Sequence, residues 1–508
     1  MTVAGRWAQA PTARLRLRLA RQGRAGLVLL PGLVCAVTGS VLLGGKSLGQ
    51  DESVSATLAR LGWHDLARVL FGREANMAVY HLLLKGWTAV FGAGESAVRS
   101  LSVLCAAGAA SALFLLVARL LGRRTAVVSG ILFGLNPVVL RLAQTARGYA
   151  LCLLLVVAAE LLLVVAVQRR SRSAWVGYAV VTACAVATNS LVVLLPAANL
   201  LALAALPRSA VRRRDLAGST ALLSLLVAPL LLRVQQANAD GVGWIAAGTS
   251  GGRLVQRLNQ VVPPVASLSL LAVAVLGVFA VVVQHGRSTT PRPPRFALAL
   301  LVSWLVTPTV GMVALSIAYR PLLVPRYLAY CLPPLVILVA VALLRLRPAA
   351  AAAGVSLALL VSLALDVGWY RASPKEDWRS AVAEVSARAE AADGVLFYPA
   401  YGRLPFDYYR SRAPGGVELE PLHPEEARGV TGELAALGPL PIGREVVAAS
   451  AGRASRLWLV VRRDQAGPSA GEQAVRRGLG DAGLVEASQR CFGRACVAEY
   501  RRPGRPAP

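Results

Sequence analysis

Long apolar segments recur through the first 370 residues of the chain, and each is near the length that crosses a membrane. A helix needs ~20 mainly apolar residues to span the hydrocarbon core of a bilayer. We identify these segments at 27–48, 98–121, 125–143, 149–168, 174–189, 191–206, 217–234, 265–284, 297–318, 327–344 and 349–369. They predict a mainly α fold, a polytopic membrane bundle of about eleven helices.

The segments at 174–189 and 191–206 are the least regular. They are short and are interrupted by Asn189, Ser190 and Pro196. Two readings stay open from the sequence, a tight helical hairpin or a single helix.

Composition supports a membrane protein. The chain is 56% hydrophobic and its net charge is +28, with a mean hydropathy of +0.57. A basic chain can bind nucleic acid, but aromatic residues make up only 6% of this one and its arginines form no single stripe. We therefore expect no nucleic-acid partner.

The arginines gather in short clusters between the apolar segments. If all eleven segments are spans, every cluster falls on the same side of the membrane, as the positive-inside rule requires. The clusters lie at 6–24, 119–124, 169–172, 208–214, 287–295 and 345–347. This pattern predicts a multi-pass protein of the plasma membrane with a basic cytoplasmic N-terminus at 1–26, a transmembrane domain at 27–370 and an extracytoplasmic C-terminus.

The composition changes after Tyr370. Seventeen of the 26 acidic residues lie in 371–508, among short apolar runs such as Gly394–Tyr398. The pattern predicts a soluble extracytoplasmic α/β domain at 371–500 and a disordered tail at 501–508. Cys491 and Cys496 lie in this domain, where an oxidising exterior would permit a disulfide; two free thiols are the alternative.

The acidic pair Asp51-Glu52 is the leading catalytic candidate. It opens a long outer loop, 49–97, in a part of the chain that has few acids. A carboxylate beside apolar helices can serve as a general base in a partly dry site. The alternative is a solvated helix cap.

Other polar and aromatic residues fall on the same predicted face as the acidic pair. An arginine there can bind a phosphate bidentately or anchor a lipid headgroup, and an aromatic ring can stack on a sugar or belong to the interfacial belt. The candidates for donor phosphate or sugar binding are Arg147, Tyr149, Gln236, Trp244, Arg326 and Tyr327. Together with the acidic pair they indicate a site for a lipid-linked, phosphate-bearing sugar.

The order of several short motifs resembles the GT-C superfamily of integral-membrane glycosyltransferases, and in particular its PMT-like group of the actinobacterial mannosyltransferase type. The resemblance covers roughly residues 27–410. The matching motifs are Asp51-Glu52-Ser53, Tyr80–Leu83, Glu95–Ser102, Asn136-Pro137, Ala146–Leu151, the loop from Gln235 to Ile245, Pro325–Leu328 and Lys375–Arg379. Where relatives often have a histidine or an aromatic-rich outer turn near the fifth and sixth spans, this chain has Thr188-Asn189-Ser190.

The resemblance implies an inverting hexosyltransferase. Such enzymes move a monosaccharide, here expected to be mannose, from a polyprenyl-phosphate donor to a glycan, lipid or protein acceptor outside the membrane, in cell-envelope assembly. By motif position the base is Asp51, with Glu52 as its neighbour or substitute. Lys375–Arg379 is expected to pin the soluble domain in place.

Two further expectations concern cofactors and the alternative function. No cofactor is expected, and a divalent metal is not favoured, because no additional acidic motif or metal-ligand spacing accompanies the pair. The alternative function is a transporter or flippase for a lipid-linked saccharide. That reading is disfavoured because transporters place polar groups at mid-membrane, where Glu160 is the main ionisable residue of this chain.

Overall fold

A computed structural model describes most of the chain, and it divides into two compact units. The described residues are 26–71, 75–237, 295–318, 324–391, 393–413, 419–422, 447–448, 451, 455–463 and 467–503. The membrane unit comprises Met1–Val41, Arg73–Tyr80 and Ser100–Tyr370, and the C-terminal unit comprises Leu42–Gly72, His81–Arg99 and Arg371–Pro508. The outer loop predicted at 49–97 is therefore largely part of the C-terminal unit.

Helices dominate the described residues before Arg371. They are α1 Gly26–Ser40, α2 Gln50–Arg60, α3 Trp63–Phe71, α4 Ala78–Phe91, α5 Glu95–Leu120, α6 Arg123–Gly134, α7 Pro137–Ala143, α8 Tyr149–Arg169, α9 Arg172–Val186, α10 Leu195–Ala204, α11 Arg213–Ala237, α12 Arg295–Ala318, α13 Leu332–Leu343 and α14 Pro348–Arg371. Short 3₁₀ helices add Ala75–Met77, Ser190–Leu194 and Pro325–Cys331.

Six helical segments of the described chain are long and apolar enough to cross a membrane. They are Glu95–Leu120, Tyr149–Arg169, Arg213–Arg233, Arg295–Ala318, Arg326–Leu343 and Pro348–Arg371. The prediction of a polytopic helical bundle is confirmed. Of the eleven predicted spans, the one at 265–284 lies outside the described residues, as does nearly all of the basic segment at 1–26.

The predicted span at 125–143 is bent. Helices α6 and α7 meet at an angle of 58°, because Pro137 begins α7 and has no N–H to continue the ladder of α6. Asn136 caps α7 by accepting a hydrogen bond from Val138 N at 2.9 Å. The two helices reach the length and apolar content of a span only when they are taken together.

The uncertain segment at 174–206 forms two helices and not one. Helix α9 ends at Val186, and the Ser190–Leu194 3₁₀ turn leads into α10. Asn189 caps that turn by accepting from Leu191 N at 3.2 Å.

The residues after Arg371 form the predicted domain of helices and strands. Its helices are α15 Trp378–Ser386, α16 Arg403–Arg410 and α17 Ala470–Asp481, and its strands are β1 Gly394–Tyr398, β2 Glu420–Pro421, β3 Arg456–Arg462, β4 Val485–Phe492 and β5 Ala495–Arg501. The sheet order is β2-β1-β3-β5-β4. The β2, β1 and β3 strands are parallel, and β5 pairs antiparallel with both β3 and β4.

The central strands β3 and β5 are buried on both faces of the sheet. Alternate residues of β3, Leu457, Leu459 and Val461, pack with Val475 and Leu479 of α17. Cys491 and Cys496 are opposite each other on β4 and β5 and form a disulfide. The predicted tail begins with Arg501, which still belongs to β5, and 504–508 lie outside the described residues.

Candidate active site

Arg99 is the centre of a dense hydrogen-bond network in the C-terminal unit. Its guanidinium donates to both carboxylate oxygens of Glu52, at 2.8 Å from Nε to Oε1 and 2.7 Å from Nη2 to Oε2. It also donates to three backbone carbonyls, those of Leu43 at 3.0 Å, Lys46 at 2.7 Å and Ser47 at 3.1 Å. Only arginine has the five donors that this arrangement uses. Arg99 thereby fixes the chain that leads to the acidic pair.

Three more contacts fix the residues directly before Asp51. Leu48 N donates to the Tyr409 hydroxyl at 2.6 Å, and Gly49 N donates to Glu52 Oε2 at 3.0 Å. Gln50 N donates to Glu376 Oε2 at 3.0 Å. These N–H groups belong to the start of α2, where a helix has no internal acceptors for them. The entry into α2 is held at three consecutive residues.

Glu376 connects α2 to the C-terminal sheet. Besides Gln50 N, it accepts from Trp378 Nε1 at 3.0 Å and from Arg462 Nε of β3 at 2.8 Å. Both of its carboxylate oxygens are therefore engaged. Within the C-terminal unit, the Lys375–Arg379 segment is thus a fastening point for α2.

The structure separates the two acids of the predicted pair. Glu52 is buried, with 8% of its surface exposed, and its carboxylate is committed to Arg99 and to the start of α2. Asp51 lies in the first turn of α2 and is half-buried. Adjacent positions on a helix point about 100° apart, so the two carboxylates have different surroundings.

The membrane unit brings three other predicted residues together. The Arg326 guanidinium lies 5.9 Å from the ring centre of Tyr149 and 5.8 Å from that of Tyr327. Asn189 Nδ2 donates to Tyr327 O at 3.0 Å. Cation–π contacts with two rings restrict where the guanidinium can lie. Asn189, in the turn Thr188-Asn189-Ser190, thus helps to hold Tyr327 in place.

Arg147 directly precedes the N-terminus of α8. It is half-buried, and α8 begins at Tyr149 with Gly148 as its N-cap and with no side-chain cap. A Cβ on Gly148 would lie 3.3 Å from Cβ of Tyr80, which explains a glycine at this close approach. An uncapped helix N-terminus carries partial positive charge, which adds to that of Arg147.

Two predicted site residues are not placed. The side chain of Gln236 and the whole of Trp244 lie outside the described residues. Gln144, a polar residue of the membrane unit, makes structural contacts. Its Nε2 donates to Gly39 O at 3.1 Å and to Val41 O at 2.7 Å, and its Oε1 accepts from Trp369 Nε1.

The chain matches a known protein family over part of its length. Residues 77–232 match the family model described as dolichyl-phosphate-mannose-protein mannosyltransferase. Over these residues the chain is similar to that family. No curated protein matches its sequence.

Solved structures agree on the fold. ArnT from Cupriavidus metallidurans bound to undecaprenyl phosphate is 15% identical, with a TM-score of 0.57 over 93% of this chain and 98% of that one. Its apo form gives 0.59 at 15% identity, over 94% and 98%. The archaeal oligosaccharyltransferase AglB from Archaeoglobus fulgidus, in complex with an inhibitory peptide and a dolichol-phosphate, gives 0.52 at 13% identity, over 87% and 70%.

The predicted resemblance to the PMT-like group is confirmed over residues 77–232. The solved structures show that the chain shares their fold.

Sequence reasoning missed the residues that hold the acidic segment. Arg99 lies inside the quoted Glu95–Ser102 motif, but no role was assigned to it, and Glu376 was expected only to pin the soluble domain. Tyr409 had no signal at all, since it is separated from Leu48 by 361 residues. Among the described residues, no three His, Cys, Asp or Glu side chains are placed to share a metal ion.

Proposed function

We propose that this PMT-like protein transfers a monosaccharide, expected to be mannose, from a polyprenyl-phosphate donor to an acceptor hydroxyl outside the membrane, with Asp51 as general base. The fixed entry into α2, which carries Asp51, and the engagement of Glu52 by Arg99 support this proposal. Both oxygens of Glu52 are engaged by Arg99, so its lone pairs are committed. Asp51 is half-buried at the start of a helix whose entry is fixed.

A fixed backbone is what a general base needs. Proton transfer requires the base to lie within hydrogen-bond reach of the acceptor hydroxyl, and small misplacements are costly in rate. The contacts at Leu48, Gly49 and Gln50 hold the three residues before Asp51. Glu52 is accordingly a positioning residue in this proposal, and Arg99 is a second one.

The donor phosphate is assigned to the arginines of the membrane unit. The Arg326 guanidinium lies 5.9 Å from the ring centre of Tyr149 and 5.8 Å from that of Tyr327, and Arg147 precedes the N-terminus of α8. A guanidinium and a helix N-terminus both favour an anion. Tyr149 and Tyr327 are then placed to flank the phosphate or the first sugar, and Gln236 and Trp244 are proposed contacts to the same donor.

The reaction balances as a single displacement. The acceptor O–H gives its proton to Asp51, the acceptor oxygen bonds to the anomeric carbon, and the bond from that carbon to the phosphate oxygen breaks. The electron pair leaves with polyprenyl phosphate, whose charge the guanidinium groups stabilise. One displacement inverts the anomeric configuration.

The predicted orientation completes the proposal. The arginine clusters predict a cytoplasmic N-terminus and a C-terminal unit outside the membrane. The acidic segment belongs to that same C-terminal unit, which supports an acceptor site on the outer side. The acceptor is then a component of the cell envelope.

Substitution Asp51→Asn tests the base. Loss of a general base lowers the rate by about 10²–10⁴-fold, so membranes carrying this variant should transfer almost no label from radiolabelled polyprenyl-phosphate mannose to endogenous acceptors. Asp65→Asn is the matched control, because Asp65 is another acid of the same loop, half-buried beside the exposed His64. Full transfer by Asp51→Asn at equal expression would remove Asp51 from the mechanism.

A further inference from the structure

An open cavity lies in the C-terminal unit, beside the segment that precedes Asp51. Its volume is about 400 Å³, within the range of ~300–1,000 Å³ typical of ligand pockets. Its lining combines the start of α5, one face of α15 and the end of α16. The lining includes Glu95, Arg379, Ala383, Tyr408, Tyr409 and Arg412.

Arg379 offers unused donors to this cavity. Its Nη2 donates to Glu95 Oε2 and, at 3.1 Å, to Gly44 O. In the described part of the chain, Nε and Nη1 make no hydrogen bond, and 48% of the side chain is exposed. A guanidinium has five N–H donors, so Arg379 retains about three for a ligand.

Arg412 supplies a second positive charge in a fixed place. Its guanidinium lies 3.7 Å from the ring centre of Tyr408 and donates from Nη2 to Ala93 O at 3.2 Å. Glu95 is the acid of the lining, and it is paired with Arg379. Two guanidiniums against one carboxylate leave the cavity with one positive charge in excess.

The cavity is fastened to the catalytic segment through Tyr409. The hydroxyl of Tyr409 accepts from Leu48 N at 2.6 Å and donates to Glu95 Oε1. Burial raises the pKa of Tyr409, and the hydrogen bond to Glu95 raises it further, so the hydroxyl keeps its proton. The cavity wall is thereby hydrogen-bonded to Leu48, three residues before Asp51.

We propose that this cavity is an acceptor subsite for an anionic saccharide, one that carries a carboxylate or a phosphate. The excess positive charge and the free donors of Arg379 fit the anion. The exposed methyl group of Ala383 fits the apolar face of a sugar. This assignment rests on the proposed function, because it places the acceptor beside the segment that carries the base.

Binding of small saccharides to the full-length protein in nanodiscs tests the subsite. The probes are mannose 6-phosphate, methyl glucuronide and neutral methyl mannoside, measured by saturation-transfer NMR and titration. At least one charged probe should bind at least tenfold more tightly than the neutral one, and the two charged probes distinguish phosphate from carboxylate. Added salt should weaken that binding, since Arg379 is exposed. Equal affinity for all three would overturn the subsite.

Two substitutions on one helix localise the effect. Ala383→Trp should fill the cavity without removing a hydrogen bond and should weaken binding of the charged probe at least tenfold. Ala387→Trp, at an exposed position at the end of the same helix and outside the lining, should leave it unchanged. Undiminished binding in Ala383→Trp, with the protein folded by circular dichroism, would contradict the assignment.

The base and the subsite can fail separately. Asp51→Asn should keep the charged probe bound while it loses sugar transfer. Probe binding that is lost in Ala383→Trp with transfer to endogenous acceptors intact would overturn the subsite alone. Normal transfer in Asp51→Asn with probe binding intact would overturn the base alone.

Discussion

Arginine serves different purposes in the two units of this protein. In the membrane unit the arginines of 119–124, 169–172 and 208–214 stand at helix ends, where they set the expected orientation. In the C-terminal unit guanidiniums meet carboxylates: the buried Glu499 accepts from Arg388 and Arg456 together. The membrane unit consists mainly of long apolar helices, and the C-terminal unit depends on specific ion pairs. Substitution of a single polar group should therefore be much more damaging in the second.

The largest expected effect is at Arg99. Arg99→Gln leaves the buried Glu52 carboxylate without its partner, which costs about 3–5 kcal/mol, and releases the carbonyls of Leu43, Lys46 and Ser47. Sugar transfer should fall by at least tenfold, with a lower midpoint of thermal unfolding. Arg68→Gln, at an exposed arginine of the same loop, is the control.

A double variant tests whether Arg99 acts by neutralising the charge of Glu52 or by holding the backbone carbonyls in place. Glu52→Gln combined with Arg99→Gln removes both buried charges and should recover part of the stability. Transfer should stay low, because three carbonyls still lack their donor. Recovery of transfer together with stability would mean that Arg99 only neutralises Glu52.

The next effect in size is at Glu472 of α17. Arg463 donates to it at 2.6 Å and Arg476 at 3.0 Å. Burial alone would raise the pKa of Glu472, but these hydrogen bonds outweigh it and hold the pKa below the ordinary value of 4.5. A lowered pKa stabilises the folded state above pH 4.5, and that stabilisation is lost as pH falls through the folded-state pKa.

Glu472→Gln tests this contribution. It should destabilise the C-terminal sheet by about 3 kcal/mol at pH 7, measured by hydrogen exchange of the β3 and β5 amides in the full-length protein. Between about pH 5 and about pH 3, where carboxyl groups titrate, the variant should lose less stability than the natural chain. A variant with the same acid sensitivity would show that other carboxylates dominate.

The smallest effect is expected in the membrane unit. Tyr330→Phe removes one hydrogen bond, from the hydroxyl to Leu191 O at 2.9 Å. A single such bond contributes about 1 kcal/mol, so the midpoint of thermal unfolding should fall only slightly. A loss as large as that of Arg99→Gln would erase the contrast between the two units.

The sequence predicted the membrane unit well because its signals are local. The segments expected at 297–318 and 349–369 are the helices Arg295–Ala318 and Pro348–Arg371, since length and apolar content are properties of each segment alone. The bend at Pro137 was missed because the apolar run continues through it. Asn136-Pro137 was quoted for the family resemblance and not for its effect on a helix.

The network around the acidic pair could not be predicted in the same way. Arg99 and Glu52 are 47 residues apart, and Gln50 and Glu376 are 326 apart. No periodicity connects such positions. The sequence identified Asp51 and Glu52 as a pair, but only the structure shows that Glu52 is buried against Arg99 whereas Asp51 is half-buried.

The fastening of Leu48 and Gln50 by Tyr409 and Glu376 has a consequence for biosynthesis. A ribosome makes the first outer loop early and these two partners more than 300 residues later. The nascent bundle can enter the membrane while the loop still lacks its clamps. The residues before Asp51 can then take up their final positions only after the C-terminal domain has folded.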